Sequence, residues 1–273
     1  MGITVGIDVG GSTTKIIGIK ERKLLSTFKV KATDPLTSAF GAFGRFVSEN
    51  KLALSDIDSI KVTGVGSSYI NSDIYNIKTI KADEFVCTGL GGLFLSELNK
   101  AIIASMGTGT ALVMADGTKI THIGGTGIGG GTLLGLSRIM LNMNNFENII
   151  EVAQDGDLSN IDLTIKDISK DISSSLPDYA TASNFGKLSD LASKSDVALG
   201  IINMIFQTIG VISVFATKIE GVKDVVLCGN LTIVPQAKEV FKNLEKIFDV
   251  RFHIPEHAEY ATALGAALEV PKS

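Results

Sequence analysis

Glycines, hydroxyls and a lysine are packed into Asp8-Val9-Gly10-Gly11-Ser12-Thr13-Thr14-Lys15, a combination suited to holding phosphate. Glycine lets a backbone approach phosphate oxygens closely. Successive amides and hydroxyls then donate to those oxygens, and Lys15 adds a point charge. Asp8 ends an apolar run, where it is placed to hold a hydrated Mg²⁺, an ion that keeps most of its waters and needs few protein ligands. The spacing is not that of a Walker A loop, and a strand rather than a helix follows the glycines, which excludes a Rossmann fingerprint. An ordinary hairpin is the alternative these residues leave open. Gly107-Thr108-Gly109-Thr110 offers the same chemistry again, and the run Gly124 to Thr132 holds Gly127, Gly129, Gly130 and Gly131. That run opens onto a predicted helix, Leu133 to Met140, whose free N-terminal amides favour anions. In Lys81-Ala82-Asp83-Glu84-Phe85 two carboxylates fall at a predicted helix start. Asp83 suits an N-cap, and Glu84, beside an apolar run, suits a general base facing a cleft. Both acids could equally complement the helix dipole, and the residues alone favour that plainer reading.

The elements that must position these groups follow from hydrophobic pattern and turn residues. Strands are predicted over Thr4 to Asp8, Thr14 to Ile19 and Leu24 to Val30, then a helix over Phe40 to Asn50. Further strands follow at Ile60 to Gly64 and Ile77 to Lys81, then a helix over Asp83 to Asn99. The opening pattern then returns: strand Lys100 to Ser105, a Gly/Thr turn, strand Ala111 to Ala115, the Asp116-Gly117 turn and strand Lys119 to Ile123. A unit repeated roughly a hundred residues apart implies two similar lobes facing one another. A nucleotide would sit between them, with a Gly/Thr hairpin reaching in from each side. Asp155 to Ser175 is polar and reads as an exposed insertion. Val225 to Cys228 is a buried strand ending in Gly229-Asn230, and Ala258 to Val270 a small-residue helix. The expected division is an N-terminal lobe over 1–99, with the helix 258–273 packing back on it, and a C-terminal lobe over 100–257 that carries the glycine-rich loop and a dimer interface.

The 273 residues are 45% hydrophobic and carry a net charge of −4, enough apolar material for a real core and no basic footprint for nucleic acid. The two cysteines, Cys87 and Cys228, fit a reducing compartment rather than a disulfide scaffold. The N-terminus shows no secretory pattern, so a cytoplasmic protein is expected. Ala198 to Ala216 is strongly apolar, but Asn203 and Gln207 lie four apart on one helical face, which reads as a buried or interfacial helix rather than a membrane span.

Together these segments resemble the eukaryotic-type (type II) pantothenate kinases, in their bacterial branch, over nearly the whole chain. Asp8 to Lys15, Glu84-Phe85 with Gly89-Leu90-Gly91-Gly92, Gly107 to Thr110, Gly124 to Gly135, Thr181 to Gly186 and Leu264 to Ala267 carry the likeness. The resemblance implies an α/β fold of two actin/hexokinase-like (ribonuclease H-like) lobes. It also implies a Mg-ATP-dependent transfer of phosphate to the terminal hydroxyl of pantothenate, and a homodimer that binds neither nucleic acid nor membrane. Glu84 would be the base. Gly10, Gly11, Ser12, Thr13, Thr14, Lys15, Thr108, Gly127, Gly129, Gly130, Gly131 and Asn230 would bind ATP, with Asp8 on the metal. Glu84, Thr108, Thr110, His122, Ala182 and Tyr260 would contact substrate. One position departs from the family: His122 stands where an arginine is expected, and imidazole lacks that planar fork for a carboxylate. Lys119 does not compensate, because strand alternation turns it to the opposite face. Three rival readings stand beside this one: a dehydratase-activating ATPase, which resembles the opening loop but needs cysteine ligands for an iron–sulfur cluster, a sugar kinase of the same superfamily, which would place an aspartate near Ala101 to Thr110, and a catalytically silent nucleotide-binding regulator, which the His122 exchange favours and the intact Glu84 opposes.

Overall fold

The computed structural model describes residues 2–32, 34–169 and 176–269. Two five-stranded sheets organise it. In the first, β1 (Ile3–Val9), β2 (Thr13–Lys20), β3 (Lys23–Lys31), β4 (Ile57–Thr63) and β5 (Thr79–Lys81) lie in the order β3-β2-β1-β4-β5. In the second, β6 (Lys100–Met106), β7 (Thr110–Asp116), β8 (Lys119–Thr126), β11 (Asp224–Cys228) and β12 (Arg251–His253) lie in the order β12-β11-β6-β7-β8. The strand directions match as well. The first three strands of each set pair antiparallel, and the last two are added in parallel. The duplication expected from the repeated hairpins is thus a duplication of whole sheets.

A detail of the backbone repeats too. Gly64 follows β4 with φ 85°, and Gly229 follows β11 with φ 90°. That left-handed region favours glycine. A Cβ on Gly64 would come within 2.5 Å of Asp8 Oδ1, and one on Gly229 within 2.5 Å of the Met106 carbonyl oxygen. Both glycines therefore let a parallel strand end close against the residues that lead into a Gly/Thr hairpin.

Five layers result. Helix α1 (Pro35–Glu49) covers one face of the first sheet, burying Ala39, Phe43 and Phe46 against Val5, Ile7 and Ile16. It starts earlier than the apolar pattern predicts because Asp34 Oδ1 accepts from Thr37 N at 2.7 Å and Pro35 takes the first helical position, a strong start signal. The other face of that sheet receives the C-terminal helix α8 (Ala261–Leu268), where Ala263, Leu264 and Ala267 meet Ile17 and Ile19. Tyr260 closes a single 3₁₀ turn before α8, and the predicted end of that helix at Val270 lies outside the described residues. Helix α2 (Glu84–Ser96) packs on α8 and, through Phe85 and Leu93, on Ala101, Ile103 and Val113 of the second sheet. Through Phe94 and Leu95, α2 also meets the cluster around Ile17, Ile19 and Leu264, so it lies between the two sheets.

The far face of the second sheet is covered by α3 (Gly130–Leu141), α4 (Phe146–Val152), α6 (Lys194–Glu220) and α7 (Ala237–Ile247), around Ile102, Ala104, Leu112 and Leu227. Helix α6 is long and apolar enough to cross a membrane, yet 67% of its most apolar window is buried in this layer; it is a core helix. The segment before it carries β9 (Leu163–Thr164), the single turn α5 (Ile165–Ile168) and β10 (Thr181–Ser183). The expected exposed insertion is only partly exposed. Ile161 and Asp162 are buried, because Asp162 accepts hydrogen bonds from Phe185 N, Asn203 Nδ2 and Asn184 Nδ2 at 2.9, 2.6 and 3.2 Å. Residues 170–175 of that expectation lie outside the described residues.

Candidate active site

Asp8 and Lys15 are directly opposite in the β1–β2 ladder, so both side chains project from the same face of the sheet, the face that α8 covers. Their charged ends lie 3.7 Å apart and both are nearly buried. Burial pushes the Asp8 carboxyl above its ordinary range, and the lysine opposes that push. Glu84 opens α2, whose N-cap is Asp83, with Asp83 Oδ1 accepting from Val86 N at 2.9 Å. The capping role thus falls to Asp83 and leaves Glu84 half-buried. Its carboxyl is also raised, first by burial, then by the negative charges of Asp8 and Asp83, with Lys15 pulling the other way. Two carboxylates facing one lysine leave a negative surplus, which suits a hydrated magnesium ion arriving with a nucleotide.

The two Gly/Thr hairpins meet tip to tip. Ser12 Oγ and Thr108 Oγ1 are 3.4 Å apart, and Asn230 Nδ2, from just beyond β11, donates to Thr13 Oγ1 at 3.0 Å. The other end of that amide, Asn230 Oδ1, is buried without a partner. A cavity of about 440 Å³ opens beside this junction, lined by Ser12, Thr13, Gly107, Thr108, Gly130 and Asn230, and also by Lys29 and Lys31 of β3, by Glu147, and by the apolar Leu134, Phe146 and Ile233. Two lysines and several apolar side chains around one cavity fit a phosphate chain and a base.

Several expected contacts take a different form. The amides of Gly130 and Gly131 already donate to the carbonyls of Gly107 and Thr108, at 2.8 and 2.9 Å. These glycines, with Gly129, bring the start of α3 against the second hairpin, where a Cβ would press on the Gly107 and Thr108 backbone. Gly127, by contrast, has nothing within 4 Å of where its Cβ would be. The Thr110 hydroxyl is not open to substrate: it is buried and donates to the Ile128 carbonyl at 2.8 Å, pinning the glycine-rich loop. Thr14 is wholly buried on the opposite face of β2 from Lys15, so it does not line the cleft. Tyr260 is buried beside Ile17 and Leu264, its phenol pushed up by burial and opposed by a hydrogen bond from Thr27. Ala182 is exposed on β10, whose neighbour Thr181 is tied to Gln207 of α6 at 2.8 Å. The second sheet stands between α6 and α2, so one chain does not bring Ala182 to Glu84.

His122 lies on the α2 side of β8. Its ring stacks on Phe85 with centroids 4.0 Å apart and planes 13° from parallel. Ile120, two residues earlier, meets Gly89 of α2, so Lys119 alternates away, as expected. Phe85, Gly64, Lys29 and Lys31 were not among the predicted site residues. Phe85 and the lysines were legible in principle, the first as the neighbour of Glu84 and the second as same-face residues of β3; Gly64 was not, because its role depends on a parallel pairing.

Joined hairpins over a carboxylate–lysine pair, set between two duplicated sheets, define a two-lobed nucleotide-cleft protein of the actin/hexokinase type. The sequence model of the Fumble family matches residues 96–269, and the chain belongs to that family. It is 28% identical over 238 residues to a type II pantothenate kinase of Bacillus thuringiensis subsp. konkukian, covering 83% of this chain and 82% of that protein. It is 28% identical over 274 residues to the type II pantothenate kinase of Staphylococcus haemolyticus, covering 96% and 98%. Among solved structures it is similar to the activator of the 2-hydroxyisocaproyl-CoA dehydratase from Clostridium difficile with bound ADPNP, with a TM-score of 0.68, 18% identity and coverage of 97% and 93%. That likeness concerns the fold. Cys87 and Cys228 are buried with thiols pushed up to about 12, which is poor placement for cluster ligands.

Proposed function

We propose that this protein transfers the γ-phosphoryl group of ATP to the terminal hydroxyl of pantothenate, the first committed step toward coenzyme A. The reading includes a cytoplasmic, Mg²⁺-dependent homodimer. The observation that supports it is the half-buried Glu84 at the start of α2, electrostatically coupled to the Asp8–Lys15 pair at the base of the first Gly/Thr hairpin. A primary alcohol is a weak nucleophile. The Glu84 carboxylate accepts its proton as the oxygen bonds to the γ-phosphorus and the bridging bond to the β-phosphate breaks, releasing ADP. Ser12, Thr13, Lys15 and the open backbone near Gly127 hold the phosphates, Lys29 and Lys31 extend the positive strip, and Asn230 ties the clamp across the lobes. Asp8 holds the metal ion, which neutralises phosphate charge when bound. His122, stacked beside the base, faces the carboxylate end of the substrate. For the dimer, α6 offers Phe215 and Ile219, 55% and 81% exposed, and α3 adds Ile139 at 82%; light scattering on the purified protein reads the oligomeric state.

A coupled ATP assay across pantothenate, pantetheine and simple sugars tests the substrate. Glu84→Gln is expected to remove most turnover, on the order of 10²-fold or more, while nucleotide affinity survives. Turnover on a sugar but not on pantothenate overturns the substrate, and full activity in the variant overturns the base.

A further inference from the structure

The cavity beside the joined hairpins contains one charged group that phosphate binding does not use. Ser12, Thr13 and Thr108 bring hydroxyls to it, and Lys29 and Lys31 bring positive charge. Glu147 lines the same cavity, and an ionised carboxylate only accepts hydrogen bonds. Glu147 stands on the first turn of α4, directly after Phe146, which is a lining residue too. That turn is fixed from both ends. Asn145 caps it, its Oδ1 accepting from Asn148 N at 2.8 Å, and Ile149 is wholly buried in the core that α6 shares with α4. Residues two apart on a helix point in widely separated directions, so burying Ile149 turns Glu147 away from that core. Glu147 is accordingly exposed, at the cavity.

A carboxylate repels a polyphosphate, so Glu147 suits a different part of a nucleotide. The sugar carries neutral donors, two adjacent hydroxyls, and these match the two oxygens of a carboxylate. The base next to the sugar needs apolar surface, which Leu134 of α3 and Phe146 of α4 supply from the same lobe as Glu147. The lysines come instead from β3 of the first sheet. Phosphate and nucleoside are thus served by different elements of one cavity. Dinucleotide-binding folds use the same chemistry when an acidic side chain holds a ribose hydroxyl. We infer that Glu147 reads the sugar: its carboxylate accepts hydrogen bonds from the 2′- and 3′-hydroxyls of the bound nucleotide, and the pocket thereby prefers ribonucleotides to deoxyribonucleotides. A site arranged to bind a hydroxyl rejects an analogue that lacks it. The inference rests on the cavity being the nucleotide pocket and is independent of which alcohol is phosphorylated.

The test is calorimetric titration of the purified full chain with ADP and with 2′-deoxyADP, in MgCl₂ and without any alcohol substrate, for the parent, Glu147→Ala and Glu147→Gln. The parent is expected to bind ADP about tenfold or more tightly than 2′-deoxyADP. Glu147→Ala should weaken ADP by a similar factor while leaving 2′-deoxyADP within about twofold, so that the preference disappears. Glu147→Gln keeps one acceptor oxygen and should retain part of it. Equal weakening of both nucleotides in the variants overturns the inference. Tighter binding of ADP in the variants also overturns it, because that is the result of a carboxylate that merely repels phosphate. A parent that binds both nucleotides equally removes the role of Glu147 and leaves the pocket standing, whereas a parent that binds neither removes the pocket assignment as well.

Discussion

Glu84 illustrates what a catalytic carboxylate costs the fold that carries it. Its neighbours Asp8 and Asp83 repel its charge and partial burial disfavours it, while Lys15 compensates only in part. The folded-state pKa therefore lies above the ordinary 4.5. Such a group favours the folded state fully below the unfolded pKa, and that contribution is lost as pH rises through the folded value. Glu84→Gln removes the titration altogether. The variant is expected to melt higher than the parent at pH 7, with a difference that shrinks as pH falls toward 4.5. Melting curves at several pH values check this; a difference that grows toward acid reverses the sign and removes the electrostatic account. The same raised pKa places the acid limb of kcat/KM above the ordinary glutamate value, because the base must be ionised to take a proton. At this scale the sequence was legible in types rather than directions. The Asp8–Lys15 pair follows from a hairpin register, and Thr14 follows from parity, since it shares its face with Ile16. The Thr110 hydroxyl and the Gly130 and Gly131 amides could not be read, because their partners, Ile128, Gly107 and Thr108, approach only when the loop folds back.

At the scale of elements, the crossing of α2 and α8 holds the base in place. Thr88 Oγ1 and Thr262 Oγ1 share a buried hydrogen bond of 2.9 Å at this crossing. On either side of it, a Cβ on Gly91 would overlap the Ala261 carbonyl oxygen, and one on Gly265 would overlap the Cys87 carbonyl oxygen. Alanine normally gains roughly 0.5–1 kcal/mol over glycine within a helix. Here backbone overlap on both partners outweighs that gain, since forced overpacking costs about 1–3 kcal/mol or more. Gly91→Ala and Gly265→Ala are therefore expected to lower stability in denaturant melts and to reduce turnover, because α2 must shift and Glu84 with it. Gly41→Ala in α1, where nothing lies within 4 Å of the new methyl, is the control and should stabilise. Destabilisation in the control but not at the crossing would contradict the packing argument. The sequence showed two small-residue helices with glycines in suggestive places. It could not show that they touch, since 174 positions separate Thr88 from Thr262.

Across the whole molecule, two copies of one sheet face each other through the α2–α8 layer, and direct contact across the cleft is made at the hairpin tips. The repeated strand–turn–strand units announced this arrangement from sequence. The parallel strands that complete each sheet did not, because the second copy places α3, α4, the 156–186 segment and α6 between β8 and β11, and no fixed period survives such an insertion. Asn230 is where that distant β11 reaches the first hairpin. Its side chain donates to Thr13 across the lobes and lines the cavity, while its Oδ1 is buried without a partner. Replacing it by alanine removes the tie across the lobes while leaving Glu84, Asp8 and Lys15 in place. A hydrogen bond of this kind contributes on the order of 1 kcal/mol, and somewhat more where charge is involved. Asn230→Ala should therefore raise the KM for ATP by about five- to tenfold, with a smaller loss in kcat and little change in the KM for the alcohol substrate. Initial-rate kinetics with each substrate varied in turn separate these effects. If the alcohol KM rises instead and the ATP KM holds, the nucleotide does not occupy the cavity beside the joined hairpins, and the assignment of the two cleft walls must be exchanged.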